Sequence, residues 1–440
     1  MHFFDRTREL ELLGEIAARS QDCAQFTVIT GRRRVGKTSL ILKACEKTPF
    51  AYLFVERKSE RDLCEIFKSE LEDKFSIVIH GQPVRFSEIF EEIMKLATTR
   101  PITVVIDEFQ EFLKINPSIF SSIQKIWDLH KDKARINLIV SGSVYTLMTK
   151  IFKHKKAALY GRETAFLKLD PFCVSVLKEI LSEYHPTFTP EDLLALWTFT
   201  GGVAKYIELL IDGKAFTREK MLDLIIREDS TFIEEGRAIL VEEFDKEYGV
   251  YFSILSAIAR RGSNTRSEIS QVLGRDIGGY LLRLEKDYAL IVRQQPLFAK
   301  ESAKGAHYQL NDNFLTFWFR FVFKYGFLLE IKGYDRLKEI IRRDYPVFSG
   351  RILERYFRAQ LIESGNWTRI GSWWDRKGEN EIDLISENEL TGEVAVYEVK
   401  RDPKRINLET LKDKFSVFTA ATGKWKRLKP SFIGLSLADM

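Results

Sequence analysis

The stretch Phe26–Ser39, FTVITGRRRVGKTS, is the part of this 440-residue chain whose reading decides the fold. Phe26–Thr30 is a short apolar, β-branched run, the pattern of a strand buried on both faces. It leads directly into G-x-x-x-x-G-K-T, at Gly31, Gly36, Lys37 and Thr38. A strand, a glycine-bounded loop and a helix in that order are the sequence form of a nucleoside triphosphate site. The glycines let the backbone curl, so that successive N–H groups from Gly31 through Arg32, Arg33, Arg34, Val35 and Gly36 to Ser39 form an anion nest. Lys37 is expected on the β- and γ-phosphates and the Thr38 hydroxyl on a Mg²⁺ ion. The helix that begins near Lys37 adds its positive N-terminal end to the same place. The plain alternative is a basic loop that happens to contain glycines, and the flanking strand and helix patterns argue against it.

Downstream, Ile102–Ile106 (ITVVI) is a second buried strand, ending in Asp107 and Glu108. Acidic residues at the carboxyl end of such a strand lie where ligands bind in α/β sheets. Asp107 is expected to contact Mg²⁺ through water, and Glu108 to be the base that orients the attacking water. Phosphoryl transfer needs chiefly positioning and charge stabilisation, which these parts supply. A third strand, Ile136–Val140 (INLIV), ends in Ser141-Gly142-Ser143. Ser141 or Ser143 is a candidate sensor of the γ-phosphate, and capping of the following helix is the equal alternative. Ala51–Val55 (AYLFV) adds a strand, and the sum is an α/β fold with a doubly wound parallel sheet.

These motifs, with Phe4-Asp5-Arg6, Glu9-Leu10 and LYGRE around Arg162, resemble the prokaryotic AAA-related ATPases of the signal-transduction (STAND) type, described as predominantly archaeal. The resemblance implies ATP rather than GTP, and a nucleotide that acts as switch as well as fuel. It also implies that Phe4 and Arg6 lie near the adenine. Arg162 is implied as an arginine contacting phosphate, in cis or from a neighbouring copy, which would make the protein a homo-oligomer. A surface ion pair between Arg162 and Glu163 is the competing reading.

Composition bounds the rest. The length predicts about three domains, and 45% hydrophobic with 30% charged residues is an ordinary globular balance. The net charge of +5 permits a nucleic-acid partner without requiring one. Cys23, Cys45, Cys64 and Cys173 form no C-x-x-C pair, which points to reduced thiols and a cytoplasmic protein. The start, MHFFDRTRELELL, is charged throughout and predicts no secretory leader. Phe314–Leu329 is broken by Arg320 and Lys324, so a buried aromatic helix is expected there and no membrane partner.

The organisation predicted is an ATPase core over 1–170, a helical lid over 171–243, a winged helix over 244–330 and a nuclease-like domain over 331–440. TGGVAKYIELL resembles the lid segment of the same ATPases, with Ala204 where those carry a proline. In the winged helix, FSILSAIARRG ends at Gly262, Thr265 caps TRSEISQVLG, and DIGGYLLRLEKDYAL is the third helix. Two strands follow, Ile291–Gln294 and His307–Leu310. The third helix has few cations, Arg275, Arg283 and Lys286, offset by Asp276, Glu285 and Asp287. DNA contact would lean on Arg260, Arg261, Arg266, Lys300 and Lys304.

Near the end, Glu354 lies on a helix (GRILERYFRAQL), Asp383 in the strand EIDLI after the turn Arg376-Lys377-Gly378, and Glu398 and Lys400 in VAVYEVK. Period-2 spacing puts Glu398 and Lys400 on one strand face, and an antiparallel neighbour would bring Asp383 to them. Two carboxylates bind a divalent cation, and a lysine beside them polarises the attacking water. Glu354 would complete the metal shell. The constellation resembles the PD-(D/E)XK restriction-endonuclease-like fold, though the naming proline is absent; a half-exposed strand of alternating charge is the plain alternative. Two functions follow: an ATP-driven protein that acts on DNA through this domain, or an ATP-dependent switch whose C-terminal domain is an inactive binding module.

Overall fold

The structure, a computed structural model, describes residues 3–244, 247–261, 264–300, 305–375, 378–425 and 428–440. Gly262, Lys304 and the Arg376-Lys377 turn lie outside the described residues. The chain divides into two compact units, Asp5–Asp170 and Pro171–Met440, and Phe4 belongs with the second.

The first unit is built on a parallel sheet. Its strands are β1 (Gln25–Thr30), β2 (Phe50–Phe54), β3 (Ile102–Asp107), β4 (Ile136–Gly142) and β5 (Ala165–Lys168), in the order β2-β3-β4-β1-β5. β1 and β4 are buried along their whole length, which is why their sequences run apolar without alternation. The strand period of two still sorts side chains to opposite faces. Ile29, Val105 and Ile139 meet Leu13, Leu40 and Ile41 of the helices Thr7–Arg19 and Lys37–Cys45. Val28, Val104 and Leu138 meet Phe67, Phe90 and Trp127 of helices Glu60–Phe75, Phe86–Thr99 and Ile119–His130. The sheet is therefore covered on both sides, the doubly wound arrangement. β5 has the weakest signal in the sequence, being short and ending in Lys168.

The second unit opens with helices Val174–Tyr184, Pro190–Thr200 and Ala204–Asp212, the last two separated at Gly201-Gly202. Helix Tyr248–Arg261 precedes β6 (Asn264–Thr265), helices Arg266–Leu273 and Gly278–Lys286, and the hairpin of β7 (Ile291–Gln294) with β8 (His307–Leu310). Thr265 and Glu268 form a reciprocal capping box at the second of these helices. The aromatic run is a short α-helix, Asn313–Phe317, continued by a π-helical stretch, Trp318–Phe323, rather than one regular helix. The long helix Tyr334–Glu363 packs on β9 (Arg369–Trp374), β10 (Glu381–Asn388) and β11 (Glu393–Val399), with β12 (Ser431–Leu435) at the far edge. β9, β10 and β11 are antiparallel and β12 runs parallel to β11. One apolar cluster, from Phe172 to Val399, spans the unit. Among the described residues no helix is long and apolar enough to cross a membrane.

Candidate functional site

The phosphate loop joins β1 to the helix Lys37–Cys45. Gly31 is obligatory there by close approach, since a Cβ on it would lie 2.4 Å from the Leu169 carbonyl oxygen. Gly36, at φ 101°, takes the left-handed conformation at the helix N-cap. Arg34 adopts a positive φ of 67°, so the loop backbone reverses where Arg32, Arg33, Arg34 and Val35 must curl. Lys37 is buried, and its ammonium donates to the carbonyls of Gly31 at 2.8 Å and Arg32 at 3.1 Å. Ser39 follows in the first turn of the helix, on its exposed side.

Thr38 donates its hydroxyl to Asp107 Oδ2 across 3.3 Å, so the expected Mg²⁺ pair is brought together by β1 and β3. Asp107 is buried at the carboxyl end of β3 and also accepts from the Tyr52 and Ser141 hydroxyls and, at 2.9 Å, from the Glu108 N–H. Burial and the hydrogen bond to Asp107 push the Tyr52 phenol well above its usual pKa. Glu108 sits in the left-handed region at φ 54° and accepts from Ser143 Oγ at 2.8 Å and from the Gln110 amide. Ser141 and Ser143 thus hold the acidic pair, and neither caps the next helix, whose N-cap is Val144. The strand-end carboxylate pair is thus held by Tyr52 of β2, by Ser141 and Ser143 at the end of β4, and by Thr38 of the following helix. Tyr52 and Gln110 were not singled out from sequence; a lone phenol in an otherwise apolar strand was the available signal.

The remaining expectations divide. Arg6 is buried and donates to Asp170 O at 2.7 Å and to Val35 O at 3.5 Å, which ties it to the phosphate loop. Phe4 packs in the second unit, its ring 6.1 Å from Tyr184. Arg162 is a correction. It binds Asp128, at 2.9 Å from Nη2, and not Glu163, which pairs with Lys153. It also precedes β5, near Thr164, whose N–H bonds to Phe26 at the start of β1. That is the end of the strands opposite the phosphate loop, about 17 Å away along β1 at ~3.3 Å per residue.

In the second unit, Glu354, Asp383 and Lys400 line one polar cleft of about 450 Å³. Asp383 Oδ2 accepts from Lys400 Nζ at 2.9 Å and from the Val399 N–H at 2.8 Å. Lys400 Nζ is also 3.8 Å from Glu398 Oε1, the same-face arrangement that the strand period implies. Burial, then the Asp383 and Glu381 carboxylates, push Glu354 up to about 8. Burial alone would lower Lys400, but Asp383, Glu398 and Glu354 outweigh it and hold its pKa above the usual value. The three-carboxylate metal shell is a second correction: among the described residues no three His, Cys, Asp or Glu side chains are grouped to hold a metal ion. Glu398 Oε2 accepts from the Asn407 N–H at 2.6 Å.

Residues 3–210 match the family described as an ATPase domain predominantly from Archaea, and residues 318–410 match one described as archaeal and bacterial proteins of unknown function. An uncharacterized protein of Methanocaldococcus jannaschii is 30% identical over 420 residues, which cover 92% of this chain and 90% of that protein. The general secretion pathway protein A of Aeromonas hydrophila is 25% identical over 220 residues, 47% of this chain but only 39% of that protein. Among solved structures, a Walker-type ATPase of Pyrococcus abyssi shares the fold at 20% identity, with a TM-score of 0.54 over 72% of this chain and 96% of that one. Carrying the phosphate loop, the strand-end acidic pair and a relative of this identity along nearly its whole length, the chain belongs to the archaeal-type family of P-loop ATPases.

Proposed function

We propose that this ATPase couples ATP hydrolysis, in the cytoplasm, to engagement of DNA by its second unit. In the ATP site Thr38 and Asp107 are the oxygen donors suited to Mg²⁺, a hard cation; bound there, it would neutralise charge on the phosphates. Lys37 and the loop N–H groups hold the β- and γ-phosphates. Glu108, oriented by Ser143 and Gln110, accepts the proton of the attacking water. In the second unit the segment from helix Tyr248–Arg261 through the β7–β8 hairpin is read as a winged helix, and the β9–β12 sheet with its helix as a nuclease-like domain.

The observation that carries the DNA reading is the cleft that gathers Asp383 and Lys400, 2.9 Å apart, with Glu354. A second reading is binding without cutting, in which Lys400 serves as a counter-charge: it bonds Asp383 Oδ2, which also accepts from the Val399 N–H, while Glu398 Oε2 accepts from the Asn407 N–H. Homo-oligomerisation, with Arg162 reaching the phosphates of a neighbouring copy, remains part of this proposal.

The test is cleavage of plasmid and single-stranded DNA with Mg²⁺ or Mn²⁺, with and without ATP, by wild type and Lys400→Ala. ATP-stimulated cleavage lost in the variant establishes a nuclease. Intact ATP turnover and DNA binding without cleavage by either protein establishes the binding module. Absence of any DNA binding overturns both.

A further inference from the structure

Three arginines stand in a row on the cleft wall. Arg351, Arg355 and Arg358 occupy i, i+4 and i+7 of the helix Tyr334–Glu363, one helix face, and all three line the cleft. Arg355 hydrogen-bonds to neutral oxygens, Asn313 Oδ1 at 3.1 Å, Thr316 Oγ1 at 3.5 Å and Gln309 Oε1 at 3.2 Å. Arg358 makes no hydrogen bond or ion pair among the described residues. Burial lowers the pKa of both guanidiniums, Arg355 to about 10. Arg355 and Arg358 are half-buried, and cations so placed without a bonded carboxylate gain from an anion, for which the guanidinium fork suits phosphate.

The β7–β8 hairpin forms the facing wall and is tied down there. The Leu297 N–H donates to Ser372 O of β9 at 2.9 Å, and the Phe298 ring lies 5.1 Å from Trp425. His307 stacks on Trp374 at 4.9 Å and 15°. The open cleft, of about 450 Å³, falls in the range of small-ligand pockets. One nucleotide unit suits such a space, whereas a duplex is far too broad for it.

We propose that this cleft binds a single strand of DNA, with a phosphodiester on the arginine row and a base beside the Trp374–His307 stack, and that the hairpin keeps duplex out. Sequence-tolerant stacking beside a basic track is how single strands are held. The proposal rests on the reading of the second unit as DNA-engaging.

The experiment measures fluorescence anisotropy of a labelled oligonucleotide with the full chain in EDTA, as single strand and as blunt duplex of the same sequence. The single strand is expected to bind at least about tenfold more tightly. Arg358→Gln should weaken single-strand binding about tenfold and leave duplex binding and ATP turnover unchanged, with Arg358→Lys, which keeps the charge but not the fork, recovering part of the loss. Equal affinity for both DNAs, no effect of Arg358→Gln, or equal loss in the Gln and Lys variants at wild-type melting temperature overturns the strand proposal while DNA engagement stands. No binding of either DNA by wild type overturns both.

Discussion

Lys37 carries the strongest single expectation at the residue scale. Its ammonium donates to loop carbonyls at 2.8 and 3.1 Å, and removing it takes away a charged donor to phosphate while the apolar layers on both faces of the sheet stay in place. Lys37→Ala should weaken ATP binding by roughly 10- to 100-fold, the worth of hydrogen bonds to charged groups, with an unchanged melting temperature without nucleotide. Titration with a fluorescent ATP analogue checks it. Glu108→Gln keeps the hydrogen bonds of that side chain but not its basicity. ATP turnover should fall about 10²- to 10⁴-fold with binding retained, and turnover near wild type would remove Glu108 from the base role. Glu354 provides a pH test. Its folded pKa of about 8 lies above its ordinary 4.5, so it stabilises the fold below pH 4.5, and that stabilisation is lost as pH rises through 8. Glu354→Gln should therefore gain stability on wild type as pH rises between those values, on the order of a few kcal/mol, read as a rise in melting temperature. A difference that does not change with pH contradicts the raised pKa.

Among the elements, the phosphate loop is the tightest. Gly31→Ala drives a Cβ to 2.4 Å from the Leu169 carbonyl, which is backbone and cannot swing away. A loss of about 1–3 kcal/mol is expected, as for overpacking elsewhere, together with weaker ATP binding, both read by thermal melting with and without nucleotide. This conflict was invisible from sequence, because Leu169 follows β5, an element of four residues with little periodic signal. β1, β3 and β4 were legible for the opposite reason: each is an apolar run long enough to declare itself, ending in the residues that carry chemistry.

Over the whole molecule, the two units divide at Asp170–Pro171, and each has its own core. Calorimetry should resolve two transitions, the usual behaviour of separate cores. Saturating ATP with Mg²⁺ should raise the one belonging to Asp5–Asp170, by about 2.7 kcal/mol at a hundredfold excess over Kd. A single transition that moves as a whole with ATP would contradict this assignment.

The amino-acid sequence by itself determined the strand–loop–helix of the phosphate site, the acidic pair at the end of β3 and the serines at the end of β4. These depend on periodicity, glycine and the ends of strands, which operate within a dozen residues. Only the tertiary structure decided that Tyr52 and Ser141 hold Asp107, that Arg162 faces Asp128, and that the β7–β8 hairpin lies against the cleft of Arg355 and Lys400. Such partners are tens of residues apart in the chain. Their meeting is set by how whole helices and sheets bury their apolar faces, a sum over many contacts that no local pattern records.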